Sequence, residues 1–144
     1  MKSKFTDDGW FLTNDCGCLT EKGELIVQGR LDDVIMKGMN YFHPSWIENI
    51  IGGCSGVADV MVVKVPDEAL LNGICACYIP LKGSDTDPQD VKNFCRMTFT
   101  SHDSNAKTAC PKYFLQMVSF PVNKNGKLDR KVLEEKATKL LHLL

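Results

Sequence analysis

The feature that most constrains the fold is a nearly continuous apolar run, VADVMVVKV, from Val57 to Val65. A short run of this kind, rich in β-branched residues and lacking a polar face, is typical of a strand covered on both sides. A second apolar run, Ile74 to Leu81, follows after turn residues and predicts a neighbouring strand. Pro80 places the end of this second strand at a sheet edge, because proline cannot donate to a ladder.

Helix signals flank these strands. Pro44 stands at the first position of a predicted helix, where a missing N–H costs nothing. Asp87 followed by Pro88 predicts the start of a second helix, with the aspartate as N-cap. Asp129 caps a third predicted helix near the end of the chain. The sheet is therefore expected to be packed between helices.

Turn residues predict two hairpins ahead of the first helix. The first pairs the CGCL stretch with the return strand Leu25 to Val27 around a turn at residues 21–23. The second pairs Val34 to Met36 with Asn40 to Phe42 across Lys37-Gly38. Further along, residues 100–112 are polar and predict a loop, and Tyr113 to Phe120 predicts a third strand.

From about residue 33 the predicted order is hairpin, helix, two strands, helix, strand and helix. This order indicates an α+β fold in which a small three-stranded sheet is packed by helices and preceded by β-hairpins. Residues 1–29 have too little apolar surface for a core of their own, so we expect them to belong to a larger body.

Charge and apolar content exclude several classes of protein. Lysine and arginine number 17 against 18 aspartates and glutamates, a net charge of -1, so we expect no nucleic-acid partner. The apolar runs are far shorter than the roughly 20 residues of a membrane span. Residues 1–8 do not resemble a signal peptide, and the terminal LLHLL is not a peroxisomal S-K-L signal.

The seven cysteines are an odd number, and several lie in apolar runs, which favours free thiols in a cytosolic or other reducing intracellular compartment. The pairs Cys16/Cys18 and Cys75/Cys77 are spaced C-x-C rather than C-x-x-C, and the three histidines are scattered. We therefore expect no protein-bound metal.

Polar residues that could carry chemistry fall in four segments: residues 13–15, 29–33, Lys37-Gly38 and 123–127. Taken singly, each also fits an ordinary turn or an exposed ion pair worth under about 1 kcal/mol. The residues support neither a Ser/His/Asp set nor a G-x-x-x-x-G-K-[ST] phosphate loop.

The order of these segments resembles the adenylate-forming superfamily, which includes acyl-CoA synthetases, luciferases and the adenylation domains of peptide synthetases. Its D-G-W-[YF]-x-T-G-D, G-R-x-D-D-x-I, P-x-E-I-E and P-x-x-x-x-G-K-[LIV]-x-R segments correspond to four stretches of this chain. These read DGWFLTND (Asp8 to Asp15), GRLDDVI (Gly29 to Ile35), PSWIE (Pro44 to Glu48) and PVNKNGKLDR (Pro121 to Arg130).

The resemblance implies a role for each matching residue. Asp15 resembles the carboxylate that accepts hydrogen bonds from the ribose hydroxyls of ATP, and Arg30 resembles the arginine at the nucleotide. Asp32 stands at the hinge position. Lys127 resembles the lysine that enters the active site for adenylation, where a cation offsets developing negative charge.

The resemblance also implies a domain boundary and cofactors. Residues 1–31 would be the last hairpin segment of an N-terminal adenylation domain, and residues 32–144 the C-terminal lid domain. The implied reaction activates a carboxylic acid, with a fatty acid expected, using ATP with Mg²⁺, and transfers the acyl group to coenzyme A. In that second step Lys37 and Gly38 would approach the thiol. The 144-residue chain alone is expected to be inactive.

Some positions depart from the family pattern. Asn14 replaces the glycine of T-G-D, a change that asparagine tolerates because it adopts unusual backbone angles more readily than most residues. Residues 35–38 read IMKG where the family pattern is I-K-x-x-G, so the lysine and the glycine are spaced differently.

Two alternatives therefore stay open. One is a fatty acyl-AMP ligase or an adenylation domain that serves a phosphopantetheine carrier protein. The other is a non-catalytic binding or regulatory module.

Overall fold

A computed structural model of the chain describes residues 4–100 and 104–143. Its strands are β1 (Asp15–Leu19), β2 (Leu25–Arg30), β3 (Ile35–Lys37), β4 (Asn40–Phe42), β5 (Val57–Asp67), β6 (Leu71–Pro80) and β7 (Tyr113–Gln116). Its helices are α1 (Pro44–Ile51), α2 (Pro88–Phe99), α3 (Ser104–Ala109) and α4 (Arg130–Leu140), and a 3-10 turn spans Leu31–Asp33. The predicted α+β class is confirmed.

The largest sheet has the strand order β5-β6-β7 and is mixed. Strand β6 pairs antiparallel with β5 and parallel with β7. Pro80 ends β6 beyond the last residue that pairs with β7, so at Pro80 the strand has a neighbour on one side only. The prediction that Pro80 lies at an edge is confirmed.

Both faces of this sheet are buried, as the apolar run in β5 predicts. On one face Val62 and Ala76 pack in a core cluster with residues of α1 and α2. On the other face Met61 and Val63 pack in a second cluster with Leu133 of α4. Successive residues of a strand point to opposite faces, so an uninterrupted apolar run supplies both clusters.

Each predicted helix start is confirmed. Pro44 is the first residue of α1. The Asp87 carboxylate accepts a hydrogen bond from the backbone N–H of Asp90, and the Asp90 carboxylate accepts one from the N–H of Asp87, both at 2.9 Å. This reciprocal pair is a capping box at the start of α2. The Asp129 carboxylate likewise accepts from the N–H of Val132 at the start of α4.

The two predicted hairpins form, and β5 and β6 form a third hairpin that extends beyond the apolar runs Val57 to Val65 and Ile74 to Leu81 at its turn end. The ladder continues through the pairs Pro66–Asn72 and Asp67–Leu71. The Asp67 carboxylate accepts hydrogen bonds from the N–H groups of Ala69 and Leu70, each at 3.0 Å. This local side-chain bonding closes a tight turn and lets both strands extend to it.

Two other predictions are wrong in part. The segment 100–112, predicted as a loop, contains the short helix α3, and its residues 101–103 lie outside the described part of the chain. A six-residue helix is too short to show an apolar period, although its last residue, Ala109, is fully buried. Strand β7 ends at Gln116 rather than Phe120. Met117 and Phe120 are buried core residues of the following loop, which explains the strand-like apolar pattern.

The N-terminal segment, residues 4–31, differs from the rest in having no buried residue. The Ser45 hydroxyl of α1 donates a 2.6 Å hydrogen bond to the Gln28 carbonyl of β2. This bond joins the N-terminal segment to the body of the structure, residues 32–100 and 104–143. Among the described residues, the helices lack the combination of length and apolarity that a membrane crossing would need.

Candidate functional site

The β1–β2 hairpin brings Asp15 and Arg30 together. They are directly paired across the strands, and Arg30 Nη1 lies 2.9 Å from Asp15 Oδ1. Arg30 Nη1 also donates to the Thr13 carbonyl at 2.8 Å. The Arg30 and Asp15 side chains are 51% and 43% exposed, so their pairing contributes under about 1 kcal/mol. Both groups therefore stay open to a ligand.

Asn14 adopts the backbone conformation that its position requires. Its φ is 62°, in the left-handed region that glycine occupies readily and asparagine tolerates. Its carbonyl accepts a 2.8 Å hydrogen bond from the Leu31 N–H, which closes the hairpin base beside Asp15. The expectation that asparagine can replace the glycine here is confirmed for the backbone.

Asp32 lies in the 3-10 turn that leads from β2 into β3. Its side chain is exposed, and this turn is the chain connection between the N-terminal segment and the body. The neighbouring Asp33 lies 3.7 Å from Arg130 Nε, measured from its Oδ2 atom. The hinge role of Asp32 stays a prediction.

Lys127 lies at the end of an ordered turn. The Asn123 side-chain oxygen accepts hydrogen bonds from the N–H groups of Asn125 and Lys127, at 2.9 and 3.1 Å. Gly126 supplies the required positive φ of 76°, and Val122 bridges Leu128 beneath the turn. The Lys127 side chain is exposed, and within residues 4–100 and 104–143 its ammonium forms no ion pair. The turn therefore presents an available cation.

Lys37 and Gly38 are both engaged inside the body. Lys37 Nζ donates a 2.7 Å hydrogen bond to the Thr108 carbonyl, and burial lowers the pKa of this lysine. Gly38 has a φ of 59°, and its N–H donates to the Leu70 carbonyl at 2.8 Å. These contacts attach the β3–β4 hairpin to α3 and to the β5–β6 turn. The thiol-side role of the two residues stays a prediction.

Sequence reasoning missed one polar cluster, formed by Arg130, Glu48 and Asp33. Arg130 Nη1 lies 2.7 Å from Glu48 Oε1 and also donates to the Val62 carbonyl. The sequence indicates only that each residue is the last of a family segment: Glu48 ends PSWIE and Arg130 ends PVNKNGKLDR. Nothing in either segment indicates that they meet, since 82 residues separate them.

Raised pKa values make the buried Cys75 and Cys95 weak nucleophiles. All seven are free thiols, and burial raises the pKa of Cys95 to about 12. The sulfur atoms of Cys75 and Cys77 lie 3.9 Å apart, and this contact together with burial raises the pKa of Cys75. Among the described residues, which exclude His102, no group of three or more His, Cys, Asp or Glu could hold a metal ion.

The structure therefore brings Asp15 and Arg30 into one exposed pair and presents Lys127 on a separate turn. An exposed carboxylate–guanidinium pair can bind a hydroxyl-rich or anionic ligand, and an available ammonium can approach a phosphate.

Comparison with known proteins identifies the family. The model of the AMP-binding enzyme C-terminal domain matches residues 46–127, which is more than half of the chain. The chain is 31% identical to the long-chain-fatty-acid–CoA ligase FadD13 of Mycobacterium tuberculosis over 129 residues, covering 90% of this chain and 24% of that protein. It is 29% identical to the medium-chain acyl-CoA ligase ACSF2 of Homo sapiens over 136 residues, covering 94% of this chain and 21% of that protein.

Solved structures show the same fold. The crystal structure of ATP-bound MatB from Rhodopseudomonas palustris matches with a TM-score of 0.81 and 27% identity, covering 95% of this chain and 26% of that chain. The amide bond synthetase McbA from Marinactinospora thermotolerans matches with a TM-score of 0.78 and 25% identity, covering 93% of this chain and 26% of that chain.

The fold and the ordered segments define the C-terminal part of an adenylate-forming enzyme. The chain belongs to the AMP-binding enzyme C-terminal domain family. It spans about a quarter of the length of the curated relatives that it matches.

Proposed function

We propose that this chain is the C-terminal lid portion of an ATP-dependent acyl-CoA synthetase, which activates a carboxylic acid through an acyl-adenylate. The observation that carries the proposal is Lys127. A chain of this family presents an exposed lysine on an ordered glycine turn, and within the described residues its ammonium forms no ion pair. The names of the relatives FadD13 and ACSF2 support a fatty acid as the substrate class.

The proposed boundary assigns residues 1–31 to an N-terminal adenylation domain and residues 32–144 to the lid. Two observations support it. The described residues of the first segment include no buried residue, and several large apolar side chains there are exposed, among them Trp10, Leu19 and Val27. Apolar surface of this kind is expected where another body packs. The 3-10 turn with Asp32 then lies at the boundary, as a hinge would.

ATP fits the exposed pair in the first segment. An ionised Asp15 carboxylate is an acceptor-only group, which suits the two ribose hydroxyls, and the Arg30 guanidinium suits oxygens of the nucleotide. The 2.9 Å ion pair orients both groups before a ligand arrives. We propose that Mg²⁺ comes to the site with the triphosphate, where it would neutralise phosphate charge.

Lys127 would act in the adenylation step. Attack of a substrate carboxylate on the α-phosphate brings two anions together and releases pyrophosphate, so a cation is needed as charge develops. At about 4 Å and an effective dielectric near 20, a pair of unit charges gains roughly 4 kcal/mol. That gain corresponds to about a thousandfold in rate.

The acceptor of the acyl group has two candidates. In the proposed second step the lid rotates about Asp32 and brings the Lys37-Gly38 hairpin to the thiol of coenzyme A. A second candidate keeps the same first step, and its adenylate passes to a phosphopantetheine carrier or to another acceptor. The likeness to an amide bond synthetase supports this alternative. Product analysis with each acceptor separates the two.

We also infer a reducing compartment, because Cys54, Cys75, Cys77 and Cys95 lie buried as free thiols.

The test replaces Lys127 by alanine in a protein that joins this chain to its N-terminal domain. Lys127→Ala is expected to lower ATP–pyrophosphate exchange by about a hundredfold to a thousandfold, with a much smaller effect on thioester formation from pre-made acyl-adenylate. Lys124→Ala, an exposed lysine of the same turn, is the matched control and should retain exchange. Equal exchange in Lys127→Ala and the parent would reject the proposed role.

A further inference from the structure

Arg130 connects four elements of the body through its guanidinium group. It is the first residue of α4, and its Nη1 atom lies 2.7 Å from Glu48 Oε1 on α1. The same atom donates to the Val62 carbonyl on β5. Its Nε atom lies 3.7 Å from Asp33 Oδ2 at the end of the 3-10 turn. The guanidinium fork makes this many-sided contact possible, because it has several donors in one rigid plane.

Arg130, Glu48 and Val62 close into a small ring that is partly shielded from water. Glu48 Oε1 accepts from the Val62 N–H at 2.9 Å as well as from Arg130, so both backbone groups of Val62 are satisfied. β5 is an edge strand, and its outward groups would otherwise lack partners. The side chains of Arg130 and Glu48 are only 21% and 19% exposed. Partial burial reduces the solvent screening of this pair relative to an exposed one.

Arg130 lies close to Lys127 in the chain, so its contacts also hold the base of the lysine turn. It lies three residues after Lys127, and the intervening Leu128 and Asp129 are held by the bridge to Val122 and by a 2.8 Å hydrogen bond to Pro121. The base of the lysine turn is therefore attached to β5 and α1. Through Asp33 it is also attached to the segment that contains the proposed hinge.

We propose that Arg130 is a positioning residue that sets the reach of Lys127 and couples the lysine turn to residues 31–33. This proposal rests on the proposed adenylation function. When the lid turns about the hinge, Asp33 and Arg130 carry the base of the lysine turn with it. A misplacement of about 1 Å can cost about a hundredfold in rate, so a loosened anchor should slow the step that needs Lys127.

Arg130→Lys is the informative substitution, since it keeps the positive charge and removes the fork. In the joined protein it should lower kcat for ATP–pyrophosphate exchange by about tenfold to a hundredfold. KM for ATP and the rate of thioester formation from pre-made adenylate should each change by less than about threefold, because neither uses Lys127. Arg96→Lys, an exposed arginine in the last turn of α2, is the matched control.

Asp33→Asn tests the hinge coupling separately and protects the experiment against misfolding of the first variant. It weakens only the 3.7 Å contact and leaves the Arg130–Glu48–Val62 ring intact. Its exchange rate should fall by about threefold to tenfold, again without a matching fall in the thioester step. Hydrogen exchange of the Lys127 and Asn125 amides should be faster in Arg130→Lys than in Arg96→Lys.

The outcomes separate this inference from the proposed function. If Lys127→Ala abolishes exchange while Arg130→Lys and Asp33→Asn retain it, the positioning role is wrong and the catalytic role stands. If both half-reactions fall in parallel in Arg130→Lys, the residue is only structural. If Lys127→Ala itself retains exchange, the proposed function fails whatever Arg130 does.

Discussion

The N-terminal segment and the body carry equally recognisable motifs but are stabilised very differently. Residues 4–31 are held by the backbone ladder of β1 and β2 and include no buried residue. From Ile35 onward the chain builds two apolar clusters, one on each face of the three-stranded sheet. A sequence motif therefore indicates a chemical role but does not indicate which part of the chain has an apolar core of its own.

The two ion pairs show the same contrast at the level of single contacts. Arg30–Asp15 is about half exposed on both sides, whereas Arg130–Glu48 is about one-fifth exposed and also satisfies the backbone of Val62. The first pair is suited to exchange its partners for a ligand. The second is suited to fix the base of the lysine turn. Matched substitutions in the two regions test this difference.

The largest expected difference comes from the same truncation in the two regions. Ile47→Ala removes a fully buried side chain and should lower the free energy of unfolding by about 2–5 kcal/mol. Ile26→Ala, at a side chain that is 50% exposed, should change it by less than about 0.5 kcal/mol. Urea denaturation of the chain measures both. Similar losses would mean that the hairpin shares the cooperative core.

Breaking each ion pair should give a smaller contrast. Glu48→Ala leaves the Arg130 charge and the Val62 N–H without their partner and should cost about 1–3 kcal/mol. Asp15→Ala should cost under about 1 kcal/mol, because water solvates Arg30. Thermal unfolding of both variants decides the matter. A loss in Asp15→Ala as large as that in Glu48→Ala would remove the distinction between the two pairs.

Positive φ angles in the two regions provide a third comparison. Gly38→Ala forces an alanine to a φ of 59° in the body and should lower the free energy of unfolding by about 1–2 kcal/mol. Asn14→Ala imposes similar strain at 62° in a segment outside the core, so the main unfolding transition should hardly move. If Asn14→Ala lowered that transition as much, the two regions would unfold as one unit.

The smallest expected effect is the loss of stability caused by burying the Glu134 carboxylate. Burial raises the pKa of the Glu134 carboxyl above its usual value, so the folded state favours the protonated form. The resulting loss of stability is absent below the usual pKa. It grows as pH rises from the usual pKa to the raised one, and is constant at higher pH. Glu134→Gln should therefore raise Tm slightly at neutral pH and not in acid, unlike the exposed control Glu135→Gln. A Tm gain that did not depend on pH would exclude this explanation.

The sequence predicted those parts of the fold that depend on local chemistry. The caps at Asp87 and Asp129, the apolar run of β5 and the Gly126 turn are each encoded within a few residues. The short helix α3 was missed because its apolar contact is a single buried alanine, Ala109.

For the site, the sequence shows the turn of the first hairpin clearly, but the pairing of Asp15 with Arg30 depends on a register shift between Cys16 and Gly17 that the sequence does not show. The Arg130–Glu48 contact could not be predicted either, because it depends on how α1 and α4 pack on β5. Nor does the sequence show that Lys37 is tied to Thr108, a contact across 71 residues. Side-chain roles that span the fold need the structure.

The most direct test of the account is a structure of the joined protein with a non-hydrolysable ATP analogue and the acid substrate bound. The account predicts that the Lys127 ammonium lies within hydrogen-bond distance, about 3 Å, of an oxygen on the α-phosphate or the attacking carboxylate. It also predicts that Asp15 accepts from the ribose hydroxyls. A nucleotide bound in a closed, adenylate-forming arrangement with Lys127 far from these oxygens would contradict it.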